Sequence, residues 1–327
     1  AEQYVDASNT KIEERNIAGF AEYGFKFGDF SVNAGVRYEN VKSDYYLFGQ
    51  WQAEPSRRYS DWFPSASMSW NSGKWGLQLA YACKTQRPSY SSLRDEVQYD
   101  NRYTYEGGNP YLRPCIINNV DFNAVYDWLS FNAGYNYIDN PMVWVATLYQ
   151  GKDIVFLRNI NFNHSQDIYA SIVASPRFGW YNPMAEIDYS QSFLHTDGFD
   201  INKPSNRPCF NFRLNNRFNI TRSLKAFLNM RYKTSQLNDL QYTKPFARVD
   251  VKLTKSYLND ALEIGVYAND LFKTDKERWT MYGSHTIMTK DCYGYERCVG
   301  MTVSYNFNTA KSKYKGTGAG NAEKRRL

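Results

Sequence analysis

The feature that most constrains this chain is strict alternation of apolar and polar side chains, which recurs through almost its whole length. Successive side chains of a β-strand point to opposite faces, so alternation gives each strand one apolar and one polar face. Residues 30–39 alternate without interruption, and residues 210–220 are interrupted only at Asn216. The apolar face suits contact with lipid and the polar face suits contact with water. The core of a soluble two-sheet protein does not require the second face of each strand to be so polar. The pattern predicts an all-β fold, an antiparallel transmembrane β-barrel.

Aromatic content favours the same fold. The chain has 28 Tyr, 20 Phe and 8 Trp, together 17% of its residues, alongside 22% charged residues. Barrels need both, because aromatic residues face lipid and its interfaces while charged residues face the interior. No stretch approaches the roughly 18 uninterrupted apolar residues that a spanning helix needs, which excludes a helical membrane protein. The net charge is +6, but the Lys and Arg residues are scattered along the strands or lie in the C-terminal tail. They do not form a basic patch, so we do not expect nucleic-acid binding.

The connections between the alternating segments are short and long in turn. Bacterial barrels show this regularity because their periplasmic turns are tight and their extracellular loops are longer. The sequence predicts short connections at 28–29, 71–74, 127–128, 180–183, 221–222 and 258–260. It predicts long ones near 47–57, 88–114, 196–206, 235–243 and 273–293. The connection at 150–153 is the exception, since it is short but lies on the outer side, between strands predicted at 129–149 and 154–177.

This spacing predicts about 13 strands, the first at 16–27 and the last at 297–307. Single-chain bacterial barrels close with an even number of strands and have both ends in the periplasm, so an odd count predicts that further strands precede this chain. The start at Ala1, without a signal peptide, agrees with a mature or excised fragment. We expect residues 1–307 to form the C-terminal part of an outer-membrane barrel and residues 308–327 to form a basic, Gly-rich periplasmic tail.

Cysteine, histidine and motif patterns predict neither a metal nor a catalytic site. The five Cys occur singly and the three His lie far apart, so the usual zinc spacings are missing. A bridge between Cys292 and Cys298 and a set of unpaired cysteines both stay open. No GxSxG, HExxH or P-loop motif is present, and Ser192 and His195, three residues apart on one strand, would point to opposite faces. We predict no enzymatic activity, no cofactor and no metal.

Three segments resemble the C-terminal barrel of TonB-dependent receptors, particularly the branch known as the outer-membrane β-barrel protein family. The first is YEGGNPYLRP, residues 105–114, which is similar to the GNPxLxP element at the end of an extracellular loop. The second is ANDLFKT, residues 268–274, which resembles the NDLF element near the end of the penultimate strand. The third is the terminal strand with its tail, SKYKGTGAGNAEKRRL at 312–327.

The resemblance implies uptake through the outer membrane of a Gram-negative cell. Members of that broad family have a barrel of about 22 strands, an N-terminal plug and a TonB box that contacts the inner-membrane energy-transducing complex. Neither plug nor TonB box occurs in this sequence. The resemblance therefore implies as partners the outer-membrane lipid and the plug and remaining strands of a parent chain. It also implies the TonB complex, through the missing N-terminal region, and for some receptors a surface lipoprotein. A non-transporting structural or adhesive barrel is the main alternative, and a soluble all-β carbohydrate-binding protein is a third.

Two sets of residues are candidates for ligand contact. Extracellular loops carry recognition residues, and the loop at 88–114 has an aromatic and basic set able to stack on a ligand and hydrogen-bond to it. That set is Tyr90, Arg94, Tyr99, Arg102, Tyr103 and Tyr105. Charged residues on the polar face could line a path through the barrel or simply pair with one another. The lumen-lining candidates are Arg213, Arg217, Arg231 and Asp250. Trp75, Trp128, Trp180 and Tyr181 beside short turns predict an interfacial aromatic girdle.

Overall fold

The computed structural model describes residues 8–196, 199, 201–204, 206–294 and 297–307, and most of these lie in β-strands. The strands, in chain order, are β1 (Thr10–Phe27), β2 (Phe30–Leu47), β3 (Gln50–Ser72), β4 (Trp75–Gln86), β5 (Val97–Asn101), β6 (Thr104–Gly107), β7 (Cys115–Tyr126), β8 (Leu129–Asp139), β9 (Met142–Leu148), β10 (Val155–Asn161), β11 (His164–Ala174), β12 (Tyr181–Leu194), β13 (Cys209–Asn219), β14 (Leu224–Lys233), β15 (Gln236–Asn238), β16 (Gln241–Thr243), β17 (Phe246–Tyr257), β18 (Leu262–Asn269), β19 (Glu277–Tyr282), β20 (Ile287–Cys292) and β21 (Cys298–Tyr305). A 3-10 turn lies at Ser91–Leu93. Within the described ranges, no helix is long and apolar enough to cross a bilayer.

Thirteen of the strands form one antiparallel sheet, in the order β1-β2-β3-β4-β7-β8-β11-β12-β13-β14-β17-β18-β21. Each of these thirteen strands pairs with the one before it and the one after it in this order, which follows the chain, as in an up-and-down barrel. The predicted number of strands is confirmed. The sheet is not closed, because β1 and β21 each have a partner on one side only among the described residues. The tail predicted at 308–327 lies outside those residues.

The register confirms one apolar and one polar face across the sheet. Leu214 of β13 is paired with Met230 of β14 and Ala185 of β12, and all three belong to the face that carries exposed apolar side chains. The neighbouring Arg213 is paired with Arg231 and Glu186 on the other face. An outer-membrane barrel turns its apolar face to lipid, so the polar face lines the interior.

Tight turns join the strands at one end of the sheet, as predicted, except that the connection predicted at 180–183 lies at 175–180, because residues 181–183 belong to β12. Gly28 and Gly73 have positive φ values of 54° and 57° in the turns after β1 and β3. A left-handed conformation at that position matches the twist of the two strands that the turn connects, and glycine adopts it without steric cost. Trp75, Trp128 and Trp180 lie beside turns of this end and are exposed, which is the placement expected of the aromatic girdle.

The opposite, outer end of the sheet corrects two predictions. The long connection predicted at 47–57 is wrong, because β2 and β3 run on to a turn of only two residues, Phe48 and Gly49. Their 18 and 23 residues exceed the 9–11 that cross a bilayer, so this hairpin projects beyond the membrane. The continuous strands predicted at 129–149 and 154–177 are also divided, since β9 and β10 leave the main sheet to join another one.

Candidate ligand-binding surface

Five outer loops of the main sheet fold together into one body, here called the cap. The cap contains two four-stranded sheets, β5-β6-β10-β9 and β15-β16-β19-β20. The first sheet combines strands from the loop between β4 and β7 with strands from the loop between β8 and β11. The second combines strands from the loops that precede β17 and β21. Loops that are far apart in the chain are therefore held by shared backbone hydrogen bonds.

Much of the buried apolar surface lies in the cap or at its junction with the strands. One cluster contains Val143, Val145, Phe162, Leu194 and Leu240, and Ile201 of the loop after β12 packs against it. Ala146, Leu157 and Met281 form a second cluster, which joins the two small sheets. Burial of this kind provides the main favourable free energy for ordering loops that are otherwise polar.

The contact between the two small sheets is close enough to require glycine. A Cβ atom on Gly283 would lie 1.9 Å from the carbonyl oxygen of Ala146. The hydroxyl of Thr286 donates to that same oxygen over 3.0 Å. Because a real Cβ never lies so close to a backbone atom, any larger residue at position 283 must push the two sheets apart.

The segment YEGGNPYLRP ends its extracellular loop just before β7, as the resemblance implied. A Cβ on Gly107 would lie 2.5 Å from the Phe156 ring, and a Cβ on Gly108 would lie 2.1 Å from the Arg94 carbonyl oxygen. The two glycines therefore allow the chain to pass close to β10 and to the 3-10 turn. Leu112, only 1% exposed, completes the docking of the segment.

Asparagine side chains fix this segment to the neighbouring loop. The Asn109 amide donates to the carbonyl oxygen of Asn159 over 3.0 Å. The Arg113 backbone N–H donates to Oδ1 of Asn161 over 2.7 Å, and the Asn161 amide donates back to the Arg113 carbonyl oxygen over 3.0 Å. Such two-way bonds satisfy backbone groups that have no strand partner.

A buried ionic cluster ties the start of the same loop to the polar face of β1 and β2. The Arg87 guanidinium makes a close ion pair with Glu39 and lies 3.8 Å from Glu14. Arg37 binds the other oxygen of Glu39, with Nε 2.5 Å from Oε1. A buried charge without its partner is strongly destabilising, so this cluster holds the loop in place over the mouth of the barrel.

The structure separates the predicted ligand-contacting tyrosines and arginines. Tyr99 and Tyr103 are exposed, and the Arg102 guanidinium lies 5.1 Å from the centroid of the Tyr103 ring. Tyr105 is only 2% exposed, with its ring centroid 5.7 Å from that of Tyr99 and 5.1 Å from that of Tyr149. In this conformation Tyr105 packs the loop, and the exposed part of the set is what a ligand can reach.

Tyr90 and Arg94 lie at the two ends of the 3-10 turn. Tyr90 is half-buried, whereas Arg94 is exposed and forms an ion pair with Glu96, with Nη1 3.0 Å from Oε2. Arg94 and Glu96 line a cavity of about 180 Å³, together with Trp144 of β9 and Asn159 of β10. Of the six predicted residues, Arg94 alone lines this cavity. Neither Trp144 nor Asn159 belongs to a motif that would mark it as a binding residue from the sequence alone.

A second cavity, of about 390 Å³, lies between β9 and the β15–β16 hairpin. Trp144 lines it as well, opposite Gln236, Asn238 and Gln241. Asp239, in the turn of the same hairpin, is also part of its wall. Burial raises the pKa of Asp239 to about 6; the Asp167 carboxylate adds to this rise, and the Lys203 ammonium opposes it.

The predicted lumen residues all lie on the polar face of the main sheet. Arg213 binds two carboxylates, with Nη2 2.7 Å from Oδ2 of Asp188 and 2.9 Å from Oε1 of Glu186. Arg231 and Arg217 each donate from Nε over 3.0 Å to an asparagine of β13. These contacts lie within the barrel wall, so the three arginines are at least partly paired by the wall itself.

Asp250 connects the polar face to the loop that follows the NDLF element. Its carboxylate accepts from Nε of Arg248 and from the backbone N–H of Asp270, over 2.9 Å and 2.8 Å. Asp270 is fully buried and accepts from the backbone N–H groups of Thr274 and Asp275. The element therefore folds the last outer loop back onto the wall.

No trio of His, Cys, Asp or Glu with metal-binding geometry occurs in the described part of the chain. Ser192 is 7% exposed on the polar face of β12, whereas the His195 ring stacks on that of His164 with centroids 4.3 Å apart. The two residues thus have different surroundings. Cys292 and Cys298 are exposed and not bonded to each other.

Comparisons with known proteins agree with the architecture. No curated protein matches this sequence. Among solved structures, the FrpB iron transporter from Neisseria meningitidis is 17% identical, with a TM-score of 0.60, over 91% of this chain and 45% of that chain. The copper transporter OprC is 13% identical, with a TM-score of 0.64, over 90% and 48%. The ferric-catecholate import receptor Fiu from E. coli K12 is 13% identical, with a TM-score of 0.60, over 92% and 46%.

At these identities the similarity concerns the fold, and the chain spans about half the length of the structures it matches. The model of the outer membrane protein beta-barrel family matches residues 3–305, nearly the whole chain. That match agrees with the two-faced 13-stranded sheet, its tight turns at one end and its folded outer loops at the other. The chain therefore belongs to the outer membrane protein beta-barrel family and resides in the outer membrane.

Proposed function

We propose that this chain is the C-terminal part of the barrel of a TonB-dependent receptor, which takes up a ligand captured by the cap. The cap carries the proposal, because four of its five loops share two sheets over the outer end of the polar face, and Ile201 of the fifth loop packs against one of the two apolar clusters. A preformed body of this kind presents cavities to the outside, which a purely structural barrel does not need. The transport roles of FrpB, OprC and Fiu support the same function.

The open edges of the main sheet support the proposal that this chain is one part of a larger barrel. Open edges do not occur within the hydrocarbon of a bilayer, where every backbone group needs a partner. A receptor barrel of about 22 strands would supply about nine more, which pair with β1 and β21. A plug would then lie against the polar face and send its TonB box to the inner membrane.

Two measurements test this function. The reading frame upstream of the codon for Ala1 should encode a plug and about eight to ten further strands. Uptake of the ligand by intact cells should then stop when the proton gradient is collapsed or the TonB gene is deleted. A frame that begins with a signal peptide and lacks a plug would contradict the proposal.

A structural or adhesive barrel is the second candidate, and the projecting β2–β3 hairpin favours it. Phe48 and Trp51 at its tip are 60% and 55% exposed, far from the bilayer. Exposed aromatic residues of this kind are typical of protein-binding surfaces. Cells in which the hairpin tip is replaced should lose adhesion. If the protein also transports a ligand, these cells should keep uptake; if no plug is encoded, neither they nor wild-type cells should show uptake through this barrel.

A further inference from the structure

Trp144 is the residue that connects the two cavities of the cap. It lies on β9 directly opposite Asn159 of β10, and 42% of its surface is exposed. Its side chain lines the cavity of about 180 Å³ as well as that of about 390 Å³. An indole that is held by a sheet and open on both sides is a rigid platform on which a flat apolar surface can stack.

The remaining walls are rich in groups that both donate and accept hydrogen bonds. Gln98, Asn159 and Ser92 line the smaller cavity. Three more amides, of Gln236, Asn238 and Gln241, line the larger one. A side-chain amide offers an N–H donor and a carbonyl acceptor side by side, which matches a pair of neighbouring hydroxyl groups on a sugar ring.

The charge of the walls opposes an anionic ligand. Among the described residues lining the two cavities, Arg94 is the single cation, and its ion pair with Glu96 is 3.0 Å long. Glu106 and Asp239 add two further carboxylates. Like charges in a partly dehydrated site repel strongly, so a ferric catecholate or a phosphate would be disfavoured. A neutral ligand carries no such penalty.

We propose that the cap binds a neutral oligosaccharide, whose rings stack on Trp144 and whose hydroxyl groups bond to the amides on either side. This inference rests on the proposed receptor function, since it names the class of ligand that the same loops would capture. The larger cavity is within the size range of ordinary small-molecule sites. Both cavities lie in the cap, on the outer side of the membrane, where such a saccharide would arrive.

The test uses the intact protein, extracted from outer membranes in mild detergent. It is applied to an array of neutral and acidic oligosaccharides and to a ferric catecholate, and the affinity for the strongest binder is measured by calorimetry. Trp144→Ala should weaken that affinity about tenfold, and Asn159→Ala about threefold. Tyr111→Ala is the matched control, because Tyr111 is an exposed aromatic residue of the cap that lines neither cavity, and it should change the affinity less than about twofold.

A neutral glycan that binds with these effects, and whose affinity is nearly independent of salt, would support the inference. Binding of acidic ligands only, binding of no glycan on the array, or equal affinity of wild type and Trp144→Ala would overturn it. The outcome is separate from that of the transport test. If the protein imports another ligand in a TonB-dependent way, only the proposal of a glycan ligand is refuted. If it binds glycans but does not take them up, only the proposal of transport is refuted.

Discussion

Replacing Asp270 with alanine should release the outer loop between β18 and β21. The buried carboxylate accepts from the backbone N–H of Thr274 over 2.9 Å, from that of Asp275 over 3.3 Å and from the Tyr293 hydroxyl over 3.0 Å. Each bond to a charged acceptor contributes about 1.5–3 kcal/mol, and bonds that share one acceptor do not add fully. We expect the free energy of local opening of this loop to fall by about 3–5 kcal/mol.

The prediction includes a pH dependence with a definite sign. Burial alone would raise the pKa of Asp270, but hydrogen bonds from Thr274, Tyr293 and Asp275 outweigh it and hold the pKa below its ordinary value of 3.8. A carboxyl whose pKa is lower in the folded protein stabilises the fold fully above that ordinary value. The contribution is then lost as the pH falls through the lowered pKa.

Amide hydrogen exchange of residues 270–294, measured near pH 7 in detergent, tests the loop directly. Asp270→Ala should accelerate exchange there by several orders of magnitude, while the main sheet stays protected. Asp291→Ala, an exposed carboxylate of the same loop, is the control and should change little. Equal protection in wild type and Asp270→Ala, or an equal loss in Asp291→Ala, would refute the reasoning.

Three further predictions concern the cap and the membrane face. Gly283→Ala forces a Cβ against a backbone oxygen 1.9 Å away. It should therefore lower the free energy of unfolding of the cap by about 1–3 kcal/mol and speed its proteolysis, and unchanged protease resistance would contradict the close packing at Gly283. Because the pKa of Asp239 is raised to about 6, the wild-type cap should lose stability as the pH rises from about 4 to 6. Asp239→Asn should therefore stabilise it near pH 7 by up to about 3 kcal/mol in hydrogen exchange, and no gain would contradict this. Leu253→Arg on the lipid face should lower the free energy of unfolding in vesicles by about 2–4 kcal/mol, whereas Lys252→Arg on the polar face should change it little; equal losses would contradict the assignment of the faces.

The sequence predicted the membrane-spanning strands well because their signal is local. Alternation over residues 210–220 corresponds to β13 (Cys209–Asn219), and the last strand predicted at 297–307 corresponds to β21 (Cys298–Tyr305). Lipid on one face and water on the other force a period of two wherever a strand crosses the bilayer. Turn chemistry supplied most of the remaining boundaries at the periplasmic end, but it placed one turn at 180–183, whereas β12 already begins at Tyr181.

Prediction failed where the chain leaves the bilayer. Residues 47–57 appeared to be a loop because a strand wetted on both faces has no reason to alternate. The division between β8 and β9 depends on Asn140, whose φ of 52° lies in the left-handed region. The burial of Tyr105 and the placement of Trp144 in two cavities depend on contacts between loops far apart in sequence, for which one sequence carries no signal.

The shared core of the cap has a consequence for how the exposed surface can evolve. Loops on a barrel usually vary independently, because each is anchored only by its own two strands. Here Val145, Leu240 and Met281 come from three different loops and lie in clusters that include residues of their neighbours. A change in one loop is therefore transmitted to the packing of the others. Variants selected by phage or antibodies should carry compensating substitutions in several loops at once, so that the cap diversifies as a unit.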